Sequence, residues 1–484
     1  MRTTLTRPWF LACALALLLC LLALARPLDH DESQYVAAAV LSAHGYLPYR
    51  DYAYLQTPLQ PLLFAPIAWI AGAWTWLALR LLNALLGAIT VACVYCSVRA
   101  GGRQTRPALI AAGLFASCDI LLFSAGTARN DALPAALLAA ALPLVLRADC
   151  GRATARSAAL AGALLAAAAA VKISYALPAG AYGFYALVQR EHRPGWIAAG
   201  AAPFVLFIAL MAAIAPHGFA FGALIFPSSA PAEYYTFAGR AWKLGIASKL
   251  LDTLKFLALG PALPALALVA WRRSRDSSHR AIAWMLIVAL VSALLPSPTW
   301  RQYLLPALPL LFVLLAAGCD RRPPGRAIWT MLAIFAVAGL TPSILALAGT
   351  IRNPPMIEAA REGAAIRAAM DGAQVRDGVA TLSPQFLPAT GRLPDARFAT
   401  GPFYFRSRHL LDPASEARDH VVSGDSLALH FGLVAPPAIL IGGEGPWTSG
   451  DAVLDTILER WALANGYVRH DIPGSRFRLY VRPR

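Results

Sequence analysis

The stretch Leu24-Ala25-Arg26-Pro27-Leu28-Asp29-His30-Asp31-Glu32-Ser33-Gln34-Tyr35 sets the end of one apolar run directly against three acids. Upstream, Phe10 to Ala25 is close to the roughly 20 residues that cross a bilayer as a helix. Downstream, Gly45-Tyr46-Leu47-Pro48-Tyr49-Arg50-Asp51-Tyr52 adds a fourth carboxylate. The whole chain of 484 residues has only 26 acidic side chains, so four of them in the first polar segment mark a loop built for chemistry at a membrane surface.

The composition agrees with that setting. The chain is 58% hydrophobic and 14% charged, against about 45–50% apolar for a typical soluble domain. It reads as an integral membrane protein. The formal charge of +16 raises nucleic acid as a partner, but the arginines fall in short clusters between long apolar runs rather than on one basic face. That pattern sets topology and excludes nucleic acid. The cysteines, at 13, 20, 93, 96, 118, 150 and 319, lie inside apolar segments or at their ends, so no disulfide is expected. Cys93 and Cys96 form a C-x-x-C with no second pair or nearby histidine, which reads as helix packing rather than metal binding.

Short cytoplasmic loops concentrate Lys and Arg. Arg2 and Arg7 place the N-terminus inside. Ala23-Leu24-Ala25 resembles a cleavage site, but a retained first helix is the preferred reading, because cleavage would leave the acidic loop on a frayed terminus. The clusters Arg99/Arg103/Arg106, Arg147/Arg152/Arg156, Arg190/Arg193, Arg272/Arg273/Arg275/Arg280 and Arg321/Arg322/Arg326 each bracket one excursion out and back. Spans are expected near 107–125, 131–147, 157–173, 175–190, 195–215, 249–271, 281–296, 303–318 and 326–348. Before Arg99, parity allows one further crossing, assigned to Trp74–Val98. Pro58–Gly72, with three prolines, reads as an interfacial or re-entrant helix. The expected fold is mainly α: a polytopic bundle of about eleven spans, with everything after Ala348 outside. Residues 1–349 form the membrane domain, with 26–73 as its external catalytic loop, and residues 350–484 form a small external α/β domain.

In that last part charge rises and patterns alternate. Ile357–Met370 and Asp451–Ala464 read as helices, Gly378–Leu382 and Ala438–Ile441 as strands, and Arg476–Val481 as an edge strand. Gly442-Gly443-Glu444-Gly445 lacks the residues of a phosphate-binding loop and reads as a turn. No fixed-period repeat is present.

Asp31, Glu32 and Gln34 open a helix running to about His44, stopped by Gly45. Asp31 with Gln34 fits a capping box. A cap is compatible with a catalytic base, because both need a carboxylate held in one orientation. Arg129, Lys172 and Arg301 lie at outer helix ends, where cations are costly. Their convergence on the leaflet of the acidic loop predicts a phosphate site. Asp131 heads a helix two residues after Arg129, and Gln302 and Tyr303 follow Arg301 into the same pocket. Glu233, Tyr234 and Tyr235 sit in an external loop from Pro216 to Ala247, expected to be mobile.

Asp31-Glu32-x-x-Tyr35, Gly45-x-x-Pro48-Tyr49-x-Asp51 and Thr57-Pro58-Leu59 together resemble the membrane glycosyltransferases of the C-type fold. The bacterial branch related to protein O-mannosyltransferases and lipid A aminoarabinose transferases is the one they resemble most. Arg129-x-Asp131, Lys172 at a helix end and Arg301-Gln302-Tyr303-Leu304-Leu305-Pro306 match further features, and the resemblance covers roughly residues 1–350. It implies transfer of a hexose or pentose from a polyprenyl-phosphate donor to a glycan, lipid or protein acceptor, at the outer face of the bacterial cytoplasmic membrane and with inversion. Asp31 matches the family's essential aspartate, with Asp131 beside it. Lys172, Arg301 and Arg129 would hold the phosphate, and Glu32, Tyr35, Asp51, Gln56, Gln302 and Tyr303 would line the substrates. The aminoarabinose branch has a Glu-Lys pair before Pro-Pro where this chain has Leu55-Gln56-Thr57-Pro58, which argues against that sugar and leaves part of the phosphate contact unassigned. No cofactor is expected; some C-type enzymes use a divalent ion and others do not, and with no recognisable ligand cluster beyond the first loop a metal-independent enzyme is the preferred reading. A flippase of lipid-linked saccharides would show charges near mid-membrane and two similar halves; a receptor would need nothing of Asp31.

Overall fold

The computed structural model describes residues 3–272, 279–321, 323–407 and 410–483, so Arg2, Arg273, Arg275 and Arg322 of the expected topology lie outside the described residues. The chain begins with α1 (Thr3–Ala25), α2 (Glu32–Ala43), α3 (Leu59–Ala71) and α4 (Thr75–Ala100). The bundle continues through α5 (Thr105–Ala116), α6 (Asp119–Ala125), α7 (Ala132–Asp149), α8 (Ala155–Val171), α9 (Ala176–Val188) and α10 (Pro194–Ile214). After α11 (Pro216–Ala220) and α12 (Phe226–Phe237) come α13 (Ile246–Ala258), α14 (Ala262–Arg272), α15 (Arg280–Leu294), α16 (Ala307–Arg321) and α17 (Arg326–Thr350).

Among the described residues, five helical runs are long and apolar enough to cross a membrane, and two bent pairs bring the number to seven. Four shorter apolar helices, Ala155–Val171, Ile173–Val188, Arg280–Leu294 and Ala307–Asp320, fall where the remaining spans are expected. The run Leu59–Ala100 spans 42 residues, roughly twice what a crossing requires.

The bends were not anticipated. α5 turns into α6 by 70°, and α13 into α14 by 100°. The second bend passes through Gly260, at φ +144°, just before Pro261, which has no N–H to continue a helix. A Cβ on Gly260 would lie 2.8 Å from Cys118 Cα, so the glycine lets the two breaks touch. There the backbone N–H of Asp119 donates to Leu259 O at 2.9 Å. The double break sets Asp119 and the α6 face at the end of the bundle that carries the acidic loop.

The stretch 216–245, expected as a loop, is instead mostly helical, with a π-helical turn at Phe221–Ile225. Its glycines fit closely under the acidic loop: a Cβ on Gly222 would lie 2.1 Å from Tyr54 O.

The C-terminal part opens with α18 (Pro355–Gly372) and carries β1 (Ala438–Ile441), β2 (Val468–Asp471) and β3 (Arg478–Val481) in an antiparallel sheet of order β1-β3-β2. Two expectations are corrected here. The strand ending in Val481 is central rather than at the edge, because β2, unrecognised in the sequence, pairs on its far side. β2 was missed because all four of its residues are exposed, which leaves no apolar alternation to read. Gly378–Leu382 forms only isolated bridges, to Pro394 and Ile439. The helix over 451–464 is present as Ala452–Ala464, capped by Asp451, whose side chain accepts from Val453 N–H.

The sheet is not held off from the bundle. Val36, Val40, Phe64, Trp76 and Leu79 share one buried cluster with Met356, Ile366, Phe386, Leu440, Phe477 and Leu479. The acidic loop therefore lies between two packed bodies.

Candidate active site

Glu32 anchors the loop. It is fully buried and meets Arg80 of α4 through two bonds, Nε to Oε1 at 2.8 Å and Nη2 to Oε2 at 2.5 Å. Arg80 also donates to the carbonyls of Ala23, Arg26 and Pro27, and Ala128 N–H donates to Glu32. One ion pair thus clamps the end of α1, the start of α2 and the turn before α7. Glu32, expected to touch substrate, is engaged on both oxygens and has no open face.

Asp31 does something else. No capping box forms: the side chain of Asp31 makes no cap bond, and Asp29 takes that place by accepting from Asp31 N–H at 2.9 Å. The Asp31 carboxylate instead binds Arg129 through Oδ2 and lies 3.2 Å from His30 Nε2 through Oδ1. Arg129 reaches Asp29 at 3.6 Å and, through Nε, Asp131 at 3.2 Å. Asp131 is paired in turn with Lys172 at the end of α8. His30 Nδ1 lies 3.3 Å from Glu444 of the C-terminal part. Lys172, Asp131, Arg129, Asp31, His30 and Glu444 form one line of alternating charge, with Asp29 beside it.

Burial would raise Asp31, but the Arg129 guanidinium and the His30 bond outweigh it and hold this carboxyl far below its usual range. Burial would lower His30, but Asp31 and Glu444 together push it up to about 10. Asp29 is pushed up, by burial first and by the Asp31 charge second. Asp31 keeps 22% of its side-chain surface exposed, whereas Asp131 keeps 1% and Lys172 4%. Of the two predicted catalytic carboxylates, Asp31 is the open one.

A second group of charges surrounds Phe123 on α6. Arg301 stacks over its ring at 3.6 Å, Arg26 at 4.9 Å and Arg129 at 5.5 Å. Asp119 answers Arg301 at 2.9 Å and Arg26 at 3.9 Å. Two guanidiniums therefore share one carboxylate, and the buried Nη1 of Arg26 has no hydrogen-bond partner among the described residues. Burial first, and then the neighbouring Arg301, lower Arg26 to about 10, the behaviour of a cation short of counter-charge. Arg26 was missed in the sequence. The signal was there, since it ends the first apolar run on the same side as Arg129 and Arg301.

Other predicted residues divide. Tyr35 packs edge-on against Tyr54, 6.4 Å between ring centroids, and Tyr303 lies under Lys172 at 5.6 Å. Gln56 accepts from Asn130 at 3.3 Å, and Gln302 is buried in the turn Arg301–Leu304. Gln56, through Asn130, and Tyr303, under Lys172, lie at the Asp131 end of the line. Asp51 is drawn away: it pairs with Arg50 at 2.7 Å and accepts from Leu47 N–H at 2.7 Å, closing its own turn.

Among the described residues, Asp29, His30 and Asp31 are the group whose ligand atoms come close enough, all within 4.8 Å, to meet one metal ion. Arg129 already lies against both carboxylates of that group, which places a guanidinium where a cation would bind.

A comparison with curated proteins finds no match. Solved structures do match. The crystal structure of ArnT from Cupriavidus metallidurans bound to undecaprenyl phosphate aligns at TM-score 0.62 and 16% identity, over 98% of both chains. Oligosaccharyltransferase AglB from Archaeoglobus fulgidus, in complex with an inhibitory peptide and a dolichol-phosphate, aligns at 0.51 and 13% identity, over 99% of this chain and 75% of that one. The fold is therefore that of the C-type membrane glycosyltransferases. Residues 54–298, about half of the sequence, match glycosyltransferase family 87, and the chain belongs to that family.

Proposed function

We propose that this glycosyltransferase moves a hexose or pentose from a polyprenyl-phosphate donor to a hydroxyl of a glycan, lipid or protein acceptor. Residues 1–349 would carry the reaction, and residues 350–484 would lie outside a bacterial cytoplasmic membrane, where the reaction takes place. The observation that carries this reading is the junction at Arg129, which touches both Asp31 and the Phe123 ring. It puts a partly exposed, oriented carboxylate beside a group in which two guanidiniums share one carboxylate.

The donor phosphate would sit at Arg301 and Arg26, with Arg129 between it and Asp31. Lys172, first read as a phosphate ligand, is on this reading the buried partner of Asp131. The acceptor oxygen would attack the anomeric carbon from the face opposite the phosphate. The carbon–oxygen bond to phosphate breaks, its electron pair leaves on the polyprenyl phosphate, and the guanidiniums stabilise that charge. Asp31 accepts the acceptor's proton. One carboxylate with a good leaving group suits a single inverting displacement, and no resident metal is needed where three guanidiniums face the leaving phosphate. Flippase function finds no specific support.

The test offers a panel of radiolabelled polyprenyl-phosphate sugars to membranes containing the wild-type chain or Asp31→Asn. Asn keeps the size of the side chain but takes no proton. Loss of transfer by about 10²- to 10⁴-fold with retained donor binding is the expected result. Equal transfer by both would remove Asp31 from the chemistry.

A further inference from the structure

Gly442-Gly443-Glu444-Gly445 does more than turn the chain. Its one charged side chain is buried and faces the acidic loop, with Oε2 3.3 Å from His30 Nδ1. Oε1 of the same carboxylate accepts from Ser383 Oγ at 3.3 Å, and Oε2 accepts from Asp451 N–H at 3.4 Å. The backbone N–H groups of Gly442 and Glu444 both donate to Asp455, at 2.8 and 3.0 Å. Gly442 sits at φ +109°, and a Cβ there would lie 2.4 Å from Arg476 O. A Cβ on Gly450 would lie 2.4 Å from Glu444 Oε2 itself. The glycines are what let this carboxylate reach its place. The same loop also grips the backbone, since His30 N–H donates to Thr448 O at 2.7 Å.

His30 lies between two carboxylates, with Asp31 at 3.2 Å from Nε2 and Glu444 at 3.3 Å from Nδ1. A ring with a carboxylate on each nitrogen cannot rotate without breaking a charge-assisted bond. Arg129 holds the second oxygen of Asp31. With both oxygens held, the plane of that carboxylate is fixed.

We propose that Glu444, acting through His30, is a positioning residue for Asp31, so that the C-terminal glycine loop completes the active site. Glu444 touches no substrate in this arrangement. It sets the ring, and the ring sets the angle at which Asp31 meets the acceptor oxygen. The inference rests on the reading of Asp31 as the base.

Two measurements on the full-length protein in detergent test it. In the first, Glu444→Gln, His30→Asn, their double variant and Asp31→Asn are assayed with a radiolabelled polyprenyl-phosphate hexose. Glu444→Gln is expected to lower kcat on the order of 100-fold, the scale of a misplaced reacting group, with donor KM within about threefold. The double variant is expected to be no slower than the slower single one, because both changes break the same line. In the second, the ¹⁵N spectrum of the His30 ring at pH 8 is expected to show two protonated nitrogens in the wild type and one in Glu444→Gln. A wild-type kcat for Glu444→Gln, losses that multiply in the double variant, or an unchanged ring spectrum would each overturn the proposal. If Asp31→Asn stays fully active, the reading of the base fails first; if it is inactive while Glu444→Gln is normal, only the role of Glu444 fails.

Discussion

The line from Lys172 to Glu444 and the group around Phe123 lie side by side, yet they treat charge in opposite ways. In the first, Arg129 and His30 each sit between carboxylates, Lys172 closes the end on Asp131, and Asp131 and Lys172 are almost wholly buried. In the second, Arg26 and Arg301 share Asp119, and a buried nitrogen of Arg26 is left without a partner among the described residues. A closed line is a scaffold, because removing any member strands its neighbours. On the proposed reading an open group receives the donor phosphate, because an incoming anion completes it. Cations that looked equivalent as outer-end charges in the sequence thus separate into two roles.

The largest effect that separates them is on stability. Lys172→Met leaves Asp131 with only Arg129, and breaking a buried pair costs about 3–5 kcal/mol. The expected outcome is a sharp fall in thermal midpoint for the detergent-solubilised protein, largely restored when Asp131→Asn is added. If Lys172→Met melts normally and donor KM rises instead, Lys172 belongs to the phosphate site and the contrast collapses.

The next effect falls on binding. Arg301→Gln and Arg26→Gln each remove charge from the open group, where a hydrogen bond to a charged partner is worth about 1.5–3 kcal/mol. That corresponds to roughly 10- to 150-fold in donor KM or in the Kd for undecaprenyl phosphate. The thermal midpoint should hold or rise for Arg26→Gln, which relieves like-charge repulsion, and fall for Arg301→Gln, which takes the 2.9 Å partner from the buried Asp119. A drop in stability with unchanged Kd would make this group a second scaffold.

The bundle was legible because membrane length and the Arg clusters constrain helices with local signals alone. Asp31, Arg129, Asp131 and Lys172 were legible as a set because acids near an apolar run and cations at outer helix ends are both rare. Which of them pair was not legible, since pairing is set by the three-dimensional crossing of α2, α7 and α8. Asp31 looked like a cap by spacing, and only the geometry shows Asp29 in that place. The helix breaks hid behind continuous hydrophobicity: Ser117-Cys118 and Leu259-Gly260-Pro261 sit inside runs that read as single spans. Glu444 had no readable signal, because its partner is 414 positions away in the sequence.

The smallest effect tests the outer end of the closed line, where His30 joins it to the C-terminal part. The folded-state pKa of His30, about 10, lies above its ordinary 6.5. Its bonds to Asp31 and Glu444 therefore contribute fully below pH 6.5 and are lost as pH rises through 10, at no more than about 1.4 kcal/mol per pH unit. Asp455 also bears on this loop: burial pushes it up to about 7, and an acid raised in the folded state loses its contribution as pH rises through that value. The two overlap near neutrality and separate above it. Between pH 8 and 9.5 the slope belongs to His30, so thermal midpoints of the wild type should fall across that window while those of His30→Asn stay nearly level. Arg26 of the Phe123 group, lowered to about 10, acts with the opposite sign, because the folded state releases that proton first and rising pH then favours the fold; Arg26→Gln should leave the fall between pH 8 and 9.5 in place or make it slightly steeper. If His30→Asn kept the full fall between pH 8 and 9.5, the group that loses its charge there would lie outside the bonds of His30 to Asp31 and Glu444, and this end of the closed line would be insensitive to pH.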